Sequence, residues 1–191
     1  MFVFVSGAVR SGKSTWAEKR ALEVGEGPLV YLATACVRDQ EMRDRVRRHQ
    51  SLRSGKGFVT LERERDLAEF VPQIPPGGTV LLECLSSWLA NEMFGRNGIV
   101  CGAEEAARKV LDALEVLRKR TVHLLVVSND VFSDGILYEK GTEEFRKALG
   151  VLHLCIVEMA DEAVECSSGL VWMHKETPTT PPRSHRRIGD K

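Results

Sequence analysis

Residues 7–14 read Gly-Ala-Val-Arg-Ser-Gly-Lys-Ser, and they decide the fold of this chain. They follow the apolar run Phe2–Val5 and precede a helical pattern over residues 15–22. Strand, glycine loop and helix in this order, with the spacing G-x-x-x-x-G-K-[ST], are the signature of a P-loop. Gly7 and Gly12 permit backbone angles that a side chain forbids, so successive N–H groups can turn towards a phosphate. The stretch therefore predicts a binding site for a nucleoside triphosphate.

The polar side chains of the loop have predicted roles in that site. Lys13 reaches the β- and γ-phosphates, and the Ser14 hydroxyl ligates Mg²⁺. The helix that begins near Lys13 adds the positive end of its dipole. The predicted nucleotide contacts of the loop are Gly7, Ala8, Val9, Arg10, Ser11, Gly12, Lys13 and Ser14. The alternative is a chance Gly-Lys-Ser turn in an ordinary βα loop, which the flanking strand and helix disfavour.

Composition indicates one globular domain. The chain has 191 residues, of which 43% are hydrophobic and 28% charged, enough to bury a substantial core. We predict a single nucleotide-binding domain over residues 1–175 and a disordered tail over residues 176–191, which are rich in proline and arginine.

Charge, hydropathy and cysteine content narrow the class further. Lys+Arg and Asp+Glu both number 27, so no excess of positive charge favours a nucleic-acid partner. The longest apolar runs, such as Leu124–Val127, are too short to span a membrane. The five cysteines are odd in number and form no C-x-x-C pair, which favours reduced thiols in the cytoplasm over disulfides or a zinc site.

Apolar runs alternate with helical patterns along the chain. The further strands are predicted at 29–33, 58–61, 79–85 and 123–127, followed by a helix at 143–161 and two short strands at 163–166 and 170–173. Ser86 is the predicted cap of another helix, and residues 95–102 are a predicted mobile connection. The alternation predicts a three-layer α/β domain of the P-loop NTPase (RecA-like) type with a mostly parallel central sheet. Ligands then gather at the carboxyl ends of the strands, here residues 7–14, 33–36, 83–87 and 129–135.

Glu83 ends the apolar run Val80–Leu82 and is the predicted metal partner of Ser14. A P-loop enzyme uses a carboxylate on a neighbouring buried strand to orient Mg²⁺ or its waters. A carboxylate in so apolar a strand is costly unless it is paired or close to a metal. A structural glutamate in a salt bridge is the alternative, and metal contact through water is as compatible with the sequence as direct contact.

His49 lies in a basic helical segment, Arg38–Lys56, which carries seven Lys or Arg and three acidic residues. Its spacing from Val46 and Arg53, three and four residues, places all three on one helical face. A neutral imidazole beside arginines that hold phosphate oxygens is suited to attack a phosphorus atom. The alternative is a solvated basic face with one hydrogen-bonded structural histidine.

With these residues assembled, the chain resembles the bifunctional adenosylcobinamide kinase/adenosylcobinamide-phosphate guanylyltransferase family of cobalamin biosynthesis. The resemblance runs from about Phe2 to Lys175. Its most specific motif is Glu41-Met42 followed by Arg45-Val46-x-x-His49-x-x-x-Arg53. The other matching motifs are Arg10–Ser14, Tyr31–Ala35, Leu82–Leu85 with Trp88 and Asn91, Val127–Val131, Phe145-Arg146, Ala160-Asp161 and Gly169…Lys175.

The resemblance implies two reactions. As a kinase, with Lys13 as a catalytic residue, the protein would move the γ-phosphoryl group of ATP or GTP to the aminopropanol hydroxyl of adenosylcobinamide. As a guanylyltransferase, it would use His49 to attack the α-phosphorus of GTP and pass GMP to the cobinamide phosphate. The resemblance further implies Mg²⁺ as cofactor, a homotrimer, and nucleotide contacts from Thr34, Arg53, Glu62 and Glu83.

The sequence departs from the family pattern at three places. Arg53-Ser54 stands where the family usually has Arg-Pro, and Asn129-Asp130-Val131-Phe132 where it has Asn-Glu-Val-Gly. His153-Leu154 replaces an Asn-Gln pair, which removes two amides from that helix. The P-loop and His49 are unchanged by these departures. The property that the departures are expected to affect is corrinoid binding, which should therefore be tested.

Two other functions stay compatible with the sequence. One is a divergent P-loop small-molecule kinase or a single-activity paralogue with a structural His49. It predicts γ-phosphoryl transfer that needs Lys13 and is indifferent to His49. The other is a non-enzymatic nucleotide-binding module, which predicts tight binding without turnover.

Overall fold

A seven-stranded sheet forms the middle of the computed structural model, which describes residues 1–36, 40–95, 98–132 and 135–176. Its strands are β1 (Phe2–Gly7), β2 (Leu29–Ala33), β3 (Phe58–Glu62), β4 (Thr79–Glu83), β7 (His123–Asn129), β8 (Glu162–Ser167) and β9 (Leu170–Lys175), and a separate hairpin consists of β5 (Phe94–Gly95) and β6 (Gly98–Ile99). The strand order is β3-β2-β4-β7-β1-β8-β9. Neighbouring strands are parallel except β8 and β9. The predicted mostly parallel sheet is confirmed.

Helices connect the parallel strands. They are α1 (Lys13–Val24), α2 (Gln40–Arg53), α3 (Leu67–Phe70), α4 (Leu85–Met93), α5 (Ala103–Arg120) and α6 (Lys140–Met159), with a 3-10 turn at Val71–Gln73. The apolar stripe of α5, including Val110 and Leu114, is buried because it recurs at helical spacing.

The sheet is covered on both faces because its side chains alternate. Val3 and Val5 of β1 belong to one cluster, which includes Ala17 of α1. Phe2 and Phe4 belong to the other cluster, with residues from α3 to α6. Each face thus buries every second residue of the same strand. The resulting order of helix, sheet and helices is the predicted three-layer architecture.

One local prediction is wrong. The helix assigned to Ser86 begins at Leu85 with Cys84 as its N-cap residue, and no side chain of the described residues caps it. The Ser86 hydroxyl instead accepts a hydrogen bond from the Asn129 amide at 3.0 Å. The connection predicted at residues 95–102 contributes to the short hairpin, in which Phe94 pairs with Ile99 and Gly95 with Gly98, and its mobility stays a prediction.

The remaining boundaries agree to within a few residues. Helix α6 begins at Lys140, three residues before its predicted start, and β8 and β9 extend the two predicted short strands. Residues 177–191 of the predicted tail lie outside the described residues, as do Arg38 and Asp39 of the basic segment. The single-domain assignment stays a prediction. Within the described ranges, the structure has no helix with the length and hydropathy of a membrane span.

Candidate functional site

The loop between β1 and α1 has the backbone shape that its glycines predict. Gly7 has φ +155°, and a Cβ there would lie 2.4 Å from the carbonyl oxygen of Cys166. Gly12 has φ +96° and serves as the N-cap residue of α1. The Ser11 amide donates to the Ala8 carbonyl at 3.2 Å, which closes the turn. The loop therefore closes as a tight turn at the start of a helix, where an anion site uses backbone N–H groups.

Two side chains inside the loop carry hydrogen-bonding capacity suited to phosphate. Lys13 is buried, and its ammonium donates to the Ala8 carbonyl at 3.0 Å, within the loop. Ser11 is also buried, and its hydroxyl has no hydrogen-bond partner among the described residues. A buried hydroxyl without a partner is costly, and a phosphate oxygen would satisfy it.

A cluster of oxygen atoms lies at the carboxyl ends of β2 and β4. The Ser14 hydroxyl donates to Oε1 of Glu83 at 2.5 Å, and the Tyr31 hydroxyl donates to Oε2 at 2.8 Å. Burial, followed by the charge of Glu83, raises the pKa of Tyr31 well above its ordinary value, so Tyr31 remains a donor. The structure thus brings together Ser14 and Glu83, the two residues that the sequence predicts at the magnesium site.

Arg53, at the end of α2, packs against this cluster from the side of Tyr31. Its guanidinium carbon lies 3.4 Å from the centroid of the Tyr31 ring. Its Nη1 lies 3.9 Å from Oε1 of Glu18, and Lys56 donates to Oε2 of the same carboxylate at 2.8 Å. Arg53 is only 6% exposed, and its Nε and Nη1 atoms have no hydrogen-bond partner among the described residues. Its predicted contact with the nucleotide stays a prediction.

His49 belongs to the same helix, α2, four residues before Arg53. Its backbone is helical as predicted, and its side chain lies outside the described part of the structure. The catalytic role of His49 therefore stays a prediction. What the structure adds is that the end of its helix is fixed against Tyr31 and Glu18.

Thr34 and Glu62 lie at the carboxyl ends of β2 and β3. Among the described residues, neither side chain forms a hydrogen bond or ion pair with the P-loop. The Thr34 hydroxyl donates to the Cys84 carbonyl at 2.7 Å and accepts from the Cys84 amide at 2.8 Å. This fully buried side chain thus fastens the ends of β2 and β4 together. Glu62 is the last residue of β3, next to Ala33, and is exposed. Their predicted nucleotide contacts remain predictions.

Asn129 is a site residue for which the sequence predicted no individual role. Strand β7 lies between β1 and β4 and ends at Asn129. This residue therefore lies next to Gly7, with which it is in register. Its amide nitrogen donates to Ser86, and its buried amide oxygen has no hydrogen-bond partner among the described residues. In the sequence, Asn129 could be recognised only as a polar residue that directly follows an apolar run. Its position beside the P-loop depends on the strand order, which the sequence does not display.

Known proteins match this chain along most of its length. A family model described as cobinamide kinase / cobinamide phosphate guanyltransferase matches residues 3–173. The bifunctional adenosylcobalamin biosynthesis protein CobU of Escherichia coli (strain K12) is 27% identical over 179 residues, covering 89% of this chain and 97% of that protein. The CobU protein of Salmonella typhimurium is 28% identical over 180 residues, covering 89% and 97%. The CobP protein of Pseudomonas aeruginosa is 29% identical over 175 residues, covering 91% and 97%.

Among solved structures, the chain is similar to one described as an ATPase domain. The TM-score is 0.55, and the match covers 94% of this chain and 78% of that chain at 11% sequence identity. A likeness at this identity shows the fold alone. It confirms the prediction of a P-loop, RecA-like architecture.

Proposed function

Because this chain belongs to the cobinamide kinase / cobinamide phosphate guanyltransferase family, we propose that it is a transferase with both activities. The first reaction moves the γ-phosphoryl group of ATP or GTP to the aminopropanol hydroxyl of adenosylcobinamide. The second transfers GMP from GTP to the resulting phosphate and releases pyrophosphate. The observation that carries the proposal is the combination of the P-loop with Glu83 at Ser14 and a helix bearing His49 that ends against the same cluster.

In the kinase reaction, the loop supplies binding and charge stabilisation. Backbone N–H groups of the loop and the Ser11 hydroxyl donate to phosphate oxygens, and the Lys13 ammonium neutralises charge that develops on the transferred group. The protein performs little covalent chemistry in phosphoryl transfer. Most of the rate enhancement therefore comes from the positions of these hydrogen-bond donors and of the Lys13 charge. Asn129 lies beside Gly7 at the same strand ends, and its buried amide oxygen can accept a hydrogen bond from an N–H or O–H group of a substrate.

Ser14 and Glu83 fit a magnesium ion. They offer hard oxygen ligands, and Mg²⁺ is usually held by one or two protein oxygens together with waters and substrate phosphates. The described residues contain no group of three or more His, Cys, Asp or Glu that could hold a metal, so substrate oxygens would complete the shell. When bound, the ion supplies positive charge to the β- and γ-phosphates. Tyr31 orients the carboxylate through its hydrogen bond to Oε2.

In the guanylyl transfer, His49 acts as a nucleophile. A ring nitrogen of His49 forms a bond to the α-phosphorus of GTP while the bond to the pyrophosphate oxygen breaks, and pyrophosphate leaves with the electron pair. An oxygen of the cobinamide phosphate then attacks the same phosphorus and displaces the histidine. The protein thus divides one displacement into two.

The molecule is proposed to work as a homotrimer in the cytoplasm. Strand β9 lies at the edge of the sheet, and its side chains Leu170 and Trp172 are 62% and 57% exposed. A long exposed apolar edge strand favours association with another chain. The cysteines, all free thiols, are compatible with a reducing compartment.

The test is incubation with GTP labelled at the α-phosphate, followed by separate acid and alkali treatment of the protein. We expect label that is labile in acid and stable in alkali, together with pyrophosphate release, in the wild type and none in His49→Asn. Kinase activity on adenosylcobinamide should survive His49→Asn and disappear in Lys13→Ala. Label that persists in His49→Asn would refute the histidine nucleophile, and kinase activity without any label would favour a single-activity enzyme.

A further inference from the structure

A cavity of about 560 Å³ opens directly beside the P-loop. Its walls come from three parts of the chain: the loop after β1, the end of β7 and the first turns of α6. Six of its lining residues are Ala8, Val9, Asp130, Val131, Phe145 and Arg146. Because Ala8 and Val9 belong to the loop that would hold the triphosphate, any molecule in this cavity lies next to that triphosphate.

The lining is mostly apolar and contains one carboxylate among the described residues, that of Asp130. Tyr138 and Phe145 add aromatic surface. Val9 of the lining is 60% exposed, and Leu137, next to Tyr138 in the chain, is an exposed apolar side chain at 97%. A large, partly hydrocarbon molecule with a polar arm matches this chemistry better than a small ion does.

Asp130 is fixed in place by the P-loop strand itself. Its backbone N–H donates to the Gly7 carbonyl at 2.9 Å. Its Oδ1 accepts from the Phe132 amide at 3.0 Å, and its Oδ2 accepts no hydrogen bond from the described residues. The backbone of Asp130 is therefore held at the first residue of the loop, and Asp130 lines the cavity with one carboxylate oxygen available to a substrate.

Arg146 holds the opposite wall together. Its guanidinium donates to the carbonyls of Val131 at 3.2 Å, Phe132 at 2.9 Å and Ile136 at 3.3 Å. It also pairs with Glu143 of its own helix at 3.0 Å. These hydrogen bonds attach the segment after Asp130 to α6, so the backbone that forms this wall of the cavity is held in place.

We propose that this cavity binds the hydroxyl-bearing arm of the phosphoryl acceptor and that Asp130 is the catalytic base of the kinase reaction. The inference rests on the proposed function. The acceptor oxygen forms a bond to the γ-phosphorus, the bond from that phosphorus to the β-bridging oxygen breaks, and the nucleoside diphosphate leaves with the electron pair. Oδ2 of Asp130 takes the proton of the hydroxyl and later returns it to solvent.

The two reactions of the enzyme provide the test. Only the kinase reaction uses an alcohol that must lose a proton, because the acceptor of GMP is a phosphate that is already ionised. Asp130→Asn should therefore lower the kcat of adenosylcobinamide phosphorylation by about a hundredfold, the usual contribution of a general base. Transfer of GMP to preformed adenosylcobinamide phosphate should change less than about threefold, which also reports that the variant is folded. Asp112→Asn, an exposed position on α5, is the matched control.

The outcomes separate the inference from the function on which it rests. A kinase rate in Asp130→Asn within about tenfold of wild type, or an equal fall in both reactions, overturns the role of Asp130. Absence of both activities in the wild-type protein overturns the proposed function instead.

A second pair of variants tests the location of the acceptor. Thr142 lines the cavity on α6, and Val151 lies exposed on the same helix outside it. Thr142→Trp should raise KM for adenosylcobinamide at least about tenfold without changing KM for ATP, and Val151→Trp should change neither. A rise in KM for ATP instead would show that the cavity holds the nucleotide, and unchanged constants would show that the acceptor binds elsewhere.

Discussion

Gly7 shows how strictly a single residue can determine the nucleotide loop. Its φ lies in the region that favours glycine, and an added Cβ would meet the Cys166 carbonyl at 2.4 Å and the Ser11 hydroxyl at 2.6 Å. The first of these atoms is backbone of β8, which is paired to β1 and cannot move without disturbing the sheet. The loop shape therefore depends on the absence of one carbon atom.

We expect Gly7→Ala to destabilise the protein by about 1–3 kcal/mol through backbone strain and to weaken ATP binding at least about tenfold. Urea unfolding and titration calorimetry measure the two effects. Gly102→Ala is the control, since its φ is −68° and nothing lies within 4 Å of an added Cβ. Equal ATP affinity in Gly7→Ala and the wild type would contradict the assignment of the loop.

His153, one of the departures from the family pattern, is partly buried and packs against the core. Its Nε2 lies 2.7 Å from the Ser128 hydroxyl, and its ring stands edge-on to Phe4 and Phe132 at centroid distances of 4.9 and 5.3 Å. Burial lowers the pKa of His153 from 6.5 to about 4, partly offset by the charge of Asp130. The side chain is therefore neutral at pH 7.

This pKa predicts a pH dependence of stability. The unfolded chain binds a proton at His153 below pH 6.5 and the folded chain only near pH 4, so the contribution of His153 to stability is complete above pH 6.5 and is lost as the pH falls towards 4. Between pH 7 and pH 5 the wild type should lose about 2 kcal/mol more of its free energy of unfolding than His153→Gln. Urea titrations of both proteins at the two pH values check this, and parallel losses would show that His153 does not titrate as its burial implies.

At the scale of elements, an ion pair between α1 and the last residue of α2 joins the helix of His49 to the rest of the domain. Glu18 of α1 faces Arg53 and Lys56, and the side chains of Glu18 and Arg53 are 6% and 5% exposed. A buried cation without its partner is much more costly than an exposed one. The carboxylate of Glu18 is thus the counterion of Arg53, the residue with which α2 ends against the sheet.

We predict that Glu18→Ala lowers the free energy of unfolding by about 3 kcal/mol, because it leaves a buried guanidinium uncompensated. Glu23→Ala, on the same helix, removes only ion pairs of an exposed carboxylate and should cost under about 1 kcal/mol. Chemical denaturation of the two variants gives the comparison. Similar losses would mean that Arg53 does not depend on Glu18.

Sequence patterns predicted where the strands and helices lie in the chain better than they predicted how these elements pack against one another. The apolar runs of β1, β4 and β7 and the helical pattern of α6 follow periods set by local geometry, so their positions were predictable. The docking of α2 was not, because its basic composition predicts a solvated face while Arg53 is buried on Tyr31. The cap at Ser86 failed for a related reason: its hydroxyl bonds to Asn129, far away in sequence.

On the scale of the whole molecule, the site was predictable in parts. Residues next to one another in sequence, such as Lys13 and Ser14, follow from a motif. The pairing of Ser14 with Glu83 needed only the rule that strand ends share one edge. The roles of Asn129 and Asp130 depend on β7 lying between β1 and β4, and strand order is set by long-range packing that a single sequence does not display.

Assembly is the prediction that belongs to this scale. One chain has a mass of 21.3 kDa, and we expect light scattering to give three times that value. Trp172→Glu places a charge on the exposed edge strand and should shift the mass towards that of one chain. Asp112→Glu, on the exposed face of α5, should leave the mass unchanged. A wild-type protein with the mass of one chain would refute the trimer.

The position of β1 in the sheet has a consequence for how the protein folds. Its two neighbours, β7 and β8, come from residues 123–129 and 162–167, so the first strand of the chain is paired only after most of the chain is available. Such distant pairings make folding slow, because loop closure precedes the contacts that stabilise it. The first residue of the glycine loop is held by these same strands, because Gly7 is in register with Asn129 and Cys166 and accepts a hydrogen bond from the Asp130 amide. Nucleotide binding therefore reports that β7 and β8 have paired with β1, and not merely that an N-terminal unit has folded.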